Sequence, residues 1–207
     1  MQAIRLKTEH LFDPIGVDFT APRLFWNCEG GKKQTAYQIV AADDSGSVLW
    51  DSGRVESSSM CVKWGGTPVP PKTKVLWNVR LWDENGNSGD WTEATFETGI
   101  GTWDAEWITG DYPVNKKERY PADCFRKTFH AADVKKARLY VTACGLYEAR
   151  LNGERVGSFI LAPGITDYRK RVQYQTYDVT ALLQDGENAL TVQLADGWYR
   201  GSCGAWG

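Results

Sequence analysis

The sequence has 207 residues, which bounds it to one or two domains of ordinary size. Hydrophobic residues are 42% and charged residues 24%, the balance of a globular chain rather than a disordered or fibrous one. A formal net charge of −2 excludes the basic excess that holds nucleic acid or an anionic membrane surface, and no apolar run nears the roughly 18 residues that span a bilayer.

The chain carries 10 Trp, 21 Gly and 8 Pro, spread along its length. Aromatic residues between frequent turn formers predict many short strands and few helices. Residues 35–41 place Tyr37, Ile39 and Ala41 on one face, the period of a strand. Asp43-Asp44-Ser45-Gly46 supplies a turn, and Val48-Leu49-Trp50 returns. Pro68, Pro70 and Pro71 mark a loop or a sheet edge. Residues 74–83 form the strongest predicted strand, with Val75, Trp77, Val79 and Leu81 on one face and Leu76 and Trp82 on the other. After the turn Glu84-Asn85-Gly86-Asn87 comes another strand, Ala94–Thr98. Turn signals every 8–12 residues or so predict an antiparallel sandwich of about seven strands. Trp26, Trp50, Trp77, Trp82 and Trp91 are expected in its core, with Trp77 at the centre.

Gly99-Ile100-Gly101 reads as a boundary, dividing the chain into 1–101 and 102–207. Residues 111–123, including Lys116 and Lys117, read as a polar loop. Alternation then predicts strands at Phe125–Phe129, 138–143 and 147–151. Asn152-Gly153 predicts a type I′ hairpin, since both central residues of that turn need positive φ. Thr180 is expected to cap a short helical turn through Leu183, and Ala189–Leu194 forms a last strand. The fold class is therefore all-β: two tandem antiparallel β-sandwiches.

Cysteines 28, 61, 124, 144 and 203 are isolated and odd in number, which argues against a zinc site or a disulfide framework. Reduced thiols and a start without an apolar h-region give a cytoplasmic location as the expectation.

Certain motifs occur in order. The first half carries Gln34-Thr35-Ala36-Tyr37-Gln38-Ile39, Leu49-Trp50-Asp51-Ser52-Gly53-Arg54-Val55, Trp77-Asn78-Val79-Arg80-Leu81-Trp82-Asp83 and Phe96-Glu97-Thr98-Gly99. These resemble the fibronectin-type-III-like domain that opens many bacterial α-L-rhamnosidases. The second half carries Gly145-Leu146-Tyr147-Glu148, Leu151-Asn152-Gly153-Glu154-Arg155-Val156-Gly157, Pro163-Gly164-Ile165-Thr166-Asp167-Tyr168, Tyr174-Gln175-Thr176-Tyr177-Asp178-Val179-Thr180 and Asp196-Gly197-Trp198-Tyr199-Arg200-Gly201. These resemble the jelly-roll N-terminal domain of the same family.

The resemblance implies a parent enzyme that hydrolyses terminal α-L-rhamnosyl groups with inversion. Inversion uses an acid and a base roughly 6.5–9.5 Å apart. In the family both lie in a following (α/α)₆ barrel, so no catalytic residue is assigned here and this region alone is expected to be inactive. Its implied partners are that barrel and, through the enzyme, rhamnose-containing glycans. The jelly roll is expected to be incomplete, and an unpaired sheet edge could support a homodimer.

The alternative reading is a pair of carbohydrate-binding modules. Asn152, Trp198, Tyr199 and Arg200 offer the mixture of ring faces and hydroxyl-binding groups that sugars need. For Trp198 and Tyr199, filling a core or an interface is the commoner use. Some related modules hold rhamnose with calcium through an Asp-Asn pair, where this chain has Leu151-Asn152. The lost carboxylate counts against calcium, which wants several hard oxygens, so no cofactor or metal is expected. Asp43-Asp44, Asp83-Glu84, Lys135-Lys136 and Arg169-Lys170-Arg171 read as solvated surface. A plain scaffold of tandem sandwiches would lack the second set of motifs.

Overall fold

The computed structural model describes residues 1–113, 115, 118 and 120–201. Lys116, Lys117 and Cys203 lie outside the described residues. The chain divides into two compact units, Met1–Trp103 and Asp104–Gly207.

The first unit holds nine strands: β1 (Gln2–Thr8), β2 (Ile15–Val17), β3 (Arg23–Glu29), β4 (Ala36–Asp43), β5 (Val48–Asp51), β6 (Val55–Glu56), β7 (Cys61–Lys63), β8 (Lys74–Trp82) and β9 (Thr92–Thr98). One sheet has the order β1-β3-β7, the other β2-β9-β8-β4-β5 with β6 also paired to β4. Pairing is antiparallel except for β2 and β9, which run parallel. That pair departs from a purely antiparallel sandwich. It arises because residues 9–14 carry the chain from the first sheet to the far edge of the second, where β2 enters beside β9 in the same direction.

The core lies between the sheets. Ala3, Leu6, Leu24 and Trp26 face Ile39, Val75, Trp77, Val79, Leu81 and Phe96. Each large side chain buried in this way contributes about 1.5–3 kcal/mol. Trp77 is fully buried at the centre, and its indole Nε1 has no hydrogen-bond partner. Trp26 escapes that penalty by donating to Gln34 Oε1 at 2.9 Å. The expectation for Trp91 is corrected. It is 42% exposed, just before β9, with the Arg80 guanidinium 4.7 Å from its ring. A cation covers one face of this indole in place of the core. Trp50 is half-buried. Trp64 is buried instead, edge-on to Phe96 and donating to Thr67 O at 2.8 Å.

The second unit holds β10 (Asp123–Ala131), β11 (Arg138–Thr142), β12 (Leu146–Leu151), β13 (Glu154–Arg155), β14 (Tyr174–Asp178) and β15 (Gly186–Ala195). Its sheets are β10-β15-β12-β13 and β11-β14, all antiparallel. Tyr147, Ala149 and Leu151 point inward from β12 and meet Val156, Ala162 and Val179. At the β12–β13 hairpin, Asn152 and Gly153 have φ of 54° and 88°, as a type I′ turn requires. The expectation for Thr180 is corrected. A 3-10 turn spans Thr180–Leu182 with no side-chain cap at its start. The Thr180 hydroxyl is engaged elsewhere, donating to Asp178 Oδ1 at 2.7 Å and accepting from Ala137 N at 2.9 Å. A single turn of helix, α1 (Gly197–Arg200), follows β15.

Candidate functional site

The second-half motifs converge in space, and the junction is built from Tyr147 outward. Its phenol donates to Gln175 Oε1 at 2.8 Å and lies 3.3 Å from the Tyr177 hydroxyl. Gln175 Nε2 donates in turn to Pro163 O at 3.2 Å. Burial, then the hydrogen bond and charge interaction with Tyr177, raise the Tyr147 phenol well above the ordinary tyrosine range. It is a neutral structural donor, unsuited to proton transfer near neutrality.

The glycines of the same motifs allow close approach. A side chain at Gly157 would strike the Tyr177 ring, and one at Gly145 would strike Ala195 O. Gly145 and Gly197 let the α1 segment close over the start of β12. The Tyr168 ring meets Tyr199 edge-on, with centroids 5.4 Å apart. The motifs thus knit one unit together.

The candidate sugar residues are not gathered into one place. Asn152 lies at the hairpin end of the β12–β15 ladder, where Leu151 pairs with Leu190. Trp198, Tyr199 and Arg200 follow the opposite end, where Leu146 pairs with Ala195. Those ends are roughly 17 Å apart at about 3.4 Å per residue. The Asn152 amide is fully used: Nδ2 donates to Leu182 O at 2.9 Å and Asn188 Oδ1 at 2.7 Å, and Oδ1 accepts from Ala189 N at 2.9 Å. Leu151 is buried at 3% exposure, so this position faces the core and not a ligand. On α1, Trp198 is half-buried, Tyr199 is exposed, and Arg200 pairs with Asp196 at 3.4 Å.

The turn acids are structural too. Asp43 Oδ1 accepts from Ser45 N and Ser47 N, and Asp83 Oδ1 from Asn85 N and Asn87 N, each at 2.9 Å. Hydrogen bonds led by the Ser45 hydroxyl and the Asn87 amide hold these two carboxyls below the usual range. Among the described residues, no group of three His, Cys, Asp or Glu stands close enough to hold a metal ion.

The sequence reading missed an open groove of about 610 Å³ on the first unit, lined by Arg5, Lys7, His10, Phe25 and Asn27 among others. The alternation of Arg5 and Lys7 with Leu6 and Thr8 was the available signal.

Two all-β units in tandem, each with its own sheets and core, define a class of tandem β-domain proteins. Two family descriptions match: "Rha78A-like, N-terminal immunoglobulin domain" over residues 3–102, and "Alpha-L-rhamnosidase N-terminal domain" over residues 132–207. An α-L-rhamnosidase of Formosa agariphila is 34% identical over 95% of this chain and 23% of its own length. The solved α-L-rhamnosidase of Dictyoglumus thermophilum is 36% identical, with a TM-score of 0.86 over 96% of this chain and 25% of that one. That of Aspergillus terreus is 35% identical, with a TM-score of 0.90 over 100% of this chain and 25% of that one. The chain belongs to the α-L-rhamnosidase family, matching its N-terminal domains, and spans about a quarter of the length of these relatives.

Proposed function

We propose that this chain is the non-catalytic front of an α-L-rhamnosidase, supporting a catalytic domain that cleaves terminal α-L-rhamnosyl groups. In this reading the first unit is the fibronectin-III/Ig-like sandwich and the second a jelly roll. The observation that carries it is the ordered pair of N-terminal domain matches, reproduced at a TM-score of 0.86 in one quarter of a solved α-L-rhamnosidase.

The side chains support a holding role. The acids and the buried phenol described above serve turns and packing, which leaves them no part in glycosidic cleavage. A stretch of the second unit presents Phe159, Ile160, Leu161 and Ile165 to solvent, each more than half exposed. Exposed apolar residues clustered in one short segment are the usual mark of a surface that another domain covers.

The test is an assay with p-nitrophenyl α-L-rhamnoside. The 207-residue chain is expected to show no turnover, and the protein extended through a following catalytic domain is expected to show it. Turnover by the shorter chain would overturn the assignment, as would an extended protein that hydrolyses other glycosides but not this one.

A further inference from the structure

We propose that the groove on the outer face of β1-β3-β7 binds an acidic saccharide, its carboxylate held by Arg5 and Lys7 and its ring lying along the His10–Phe25 pair. The proposal rests on the function above only in taking the chain to work among glycans.

The construction of the face supports it. Leu24 and Trp26 of β3 turn into the core, so Arg23, Phe25, Asn27 and Glu29 turn outward. Across the ladders Phe25 stands between Lys7 on β1 and Cys61 on β7, and Arg23 is directly opposite Lys63. Like charges in register destabilise a sheet. The face also carries Arg5, against two carboxylates. Glu9 is consumed by Arg23, accepting from its backbone N at 2.6 Å and its guanidinium at 2.7 Å. Glu29 lies beyond Asn27, opposite Gln2 at the far end of the strand. The whole chain has a net charge of −2, so this local cationic surplus is not a compositional accident.

A bulge aims the cations. Register shifts between Ile4 and Lys7, and Arg5 has φ of 52°, a left-handed conformation uncommon for a non-glycine residue within a strand. The extra residue keeps Leu6 and Thr8 in the core while both Arg5 and Lys7 turn outward. Strain held at a non-glycine position is a pointer to function. Neither the Arg5 guanidinium nor the Asn27 amide has a hydrogen-bond partner among the described residues. Lys7 Nζ has only the Phe12 ring, at 4.8 Å. The His10 and Phe25 rings lie 4.2 Å apart, tilted by 34°, and give the groove an aromatic wall. At about 610 Å³ the groove is far larger than a simple ion needs and falls in the range of small-molecule sites.

The experiment is an NMR titration of the ¹⁵N-labelled 207-residue chain with digalacturonate, with maltose as a neutral disaccharide, and with inorganic sulfate. Digalacturonate is expected to shift amides of Arg5–His10, Phe25–Asn27 and Ser59–Cys61, with maltose and sulfate each binding at least about tenfold more weakly. Arg5→Gly tolerates the positive φ and removes an exposed side chain together with its guanidinium, so the variant keeps its fold. Combined with Lys7→Gln, it should weaken digalacturonate at least about tenfold. No shift at about 20 mM digalacturonate, equal affinity for sulfate or maltose, or an unaffected double variant would each overturn the proposal. None of these outcomes bears on rhamnoside hydrolysis, which the activity assay reads separately.

Discussion

Replacing Asn188 by Ala should destabilise the second unit selectively. Asn188 is 1% exposed in β15. Its Oδ1 accepts from Asn152 Nδ2 at 2.7 Å and Gln184 N at 3.0 Å, and its Nδ2 donates to Gln184 O at 2.8 Å and Gly186 O at 3.0 Å. Each lost bond is worth about 1 kcal/mol, and each buried group left without a partner costs about 1–3 kcal/mol. The carbonyls retain other routes to a donor, so the expected loss is about 3–5 kcal/mol. For a unit of this size, 1 kcal/mol moves Tm by about 4–8 °C, so the second unit's transition should fall by at least about 12 °C. Calorimetry resolves it from the first unit's transition, which should not move. Asn152→Gly keeps the positive φ and removes the side chain that carries the amide, so a double-mutant cycle with Asn188→Ala should show coupling of about 1 kcal/mol or more. A loss below about 1 kcal/mol for Asn188→Ala, or additive losses in the cycle, would refute the view of this pair as one cooperative network.

Three further substitutions in the same unit have defined outcomes. Gly157→Ala meets both a φ of 70° and the Tyr177 ring, for a combined cost of about 2–5 kcal/mol by calorimetry. Gly153→Ala, at φ of 88° in open space, should cost only the conformational share, about 1–2 kcal/mol. Asp178 is held below its ordinary value of 3.8, first by the Thr180 hydroxyl and also by Arg138. Its stabilisation is complete above that value and is lost as pH falls through the lower folded one. Asp178→Asn should flatten the acid dependence of the urea midpoint in that window, and an unchanged slope would contradict this.

The strongest strands were legible because both signals agreed. In β8 the alternation of Val75, Trp77, Val79 and Leu81 matches side chains that are all fully buried. The Asn152-Gly153 turn was legible because its chemistry is local. Trp91 was misplaced because hydrophobicity alone does not say that an arginine will cover the ring. Trp64 was missed because it follows a short strand in a segment where no period exists, and is held by tertiary contacts with Phe96 and Trp50 and by its bond to Thr67 O. In β1 the bulge at Arg5 breaks the period of two, so the inward set is Ala3, Leu6 and Thr8. The separation of Asn152 from Trp198 depends on strand register, which no single segment encodes. Asn152 reads first as a turn residue, and its three internal bonds show where the amide that a sugar contact would need is spent.

The first strand also sets a schedule for synthesis. Ala3 and Leu6 are core residues, yet Ala3 O accepts its bond from the Thr92 hydroxyl, 89 positions later in the chain. β3 can pair with β1 early, but the inner face of β1 stays uncovered while the ribosome adds the residues that close over it, a delay of about 5–20 s at usual elongation rates. The Lys and Arg side chains on its outer face suit that interval, since charge on an edge strand discourages pairing with a neighbouring nascent chain.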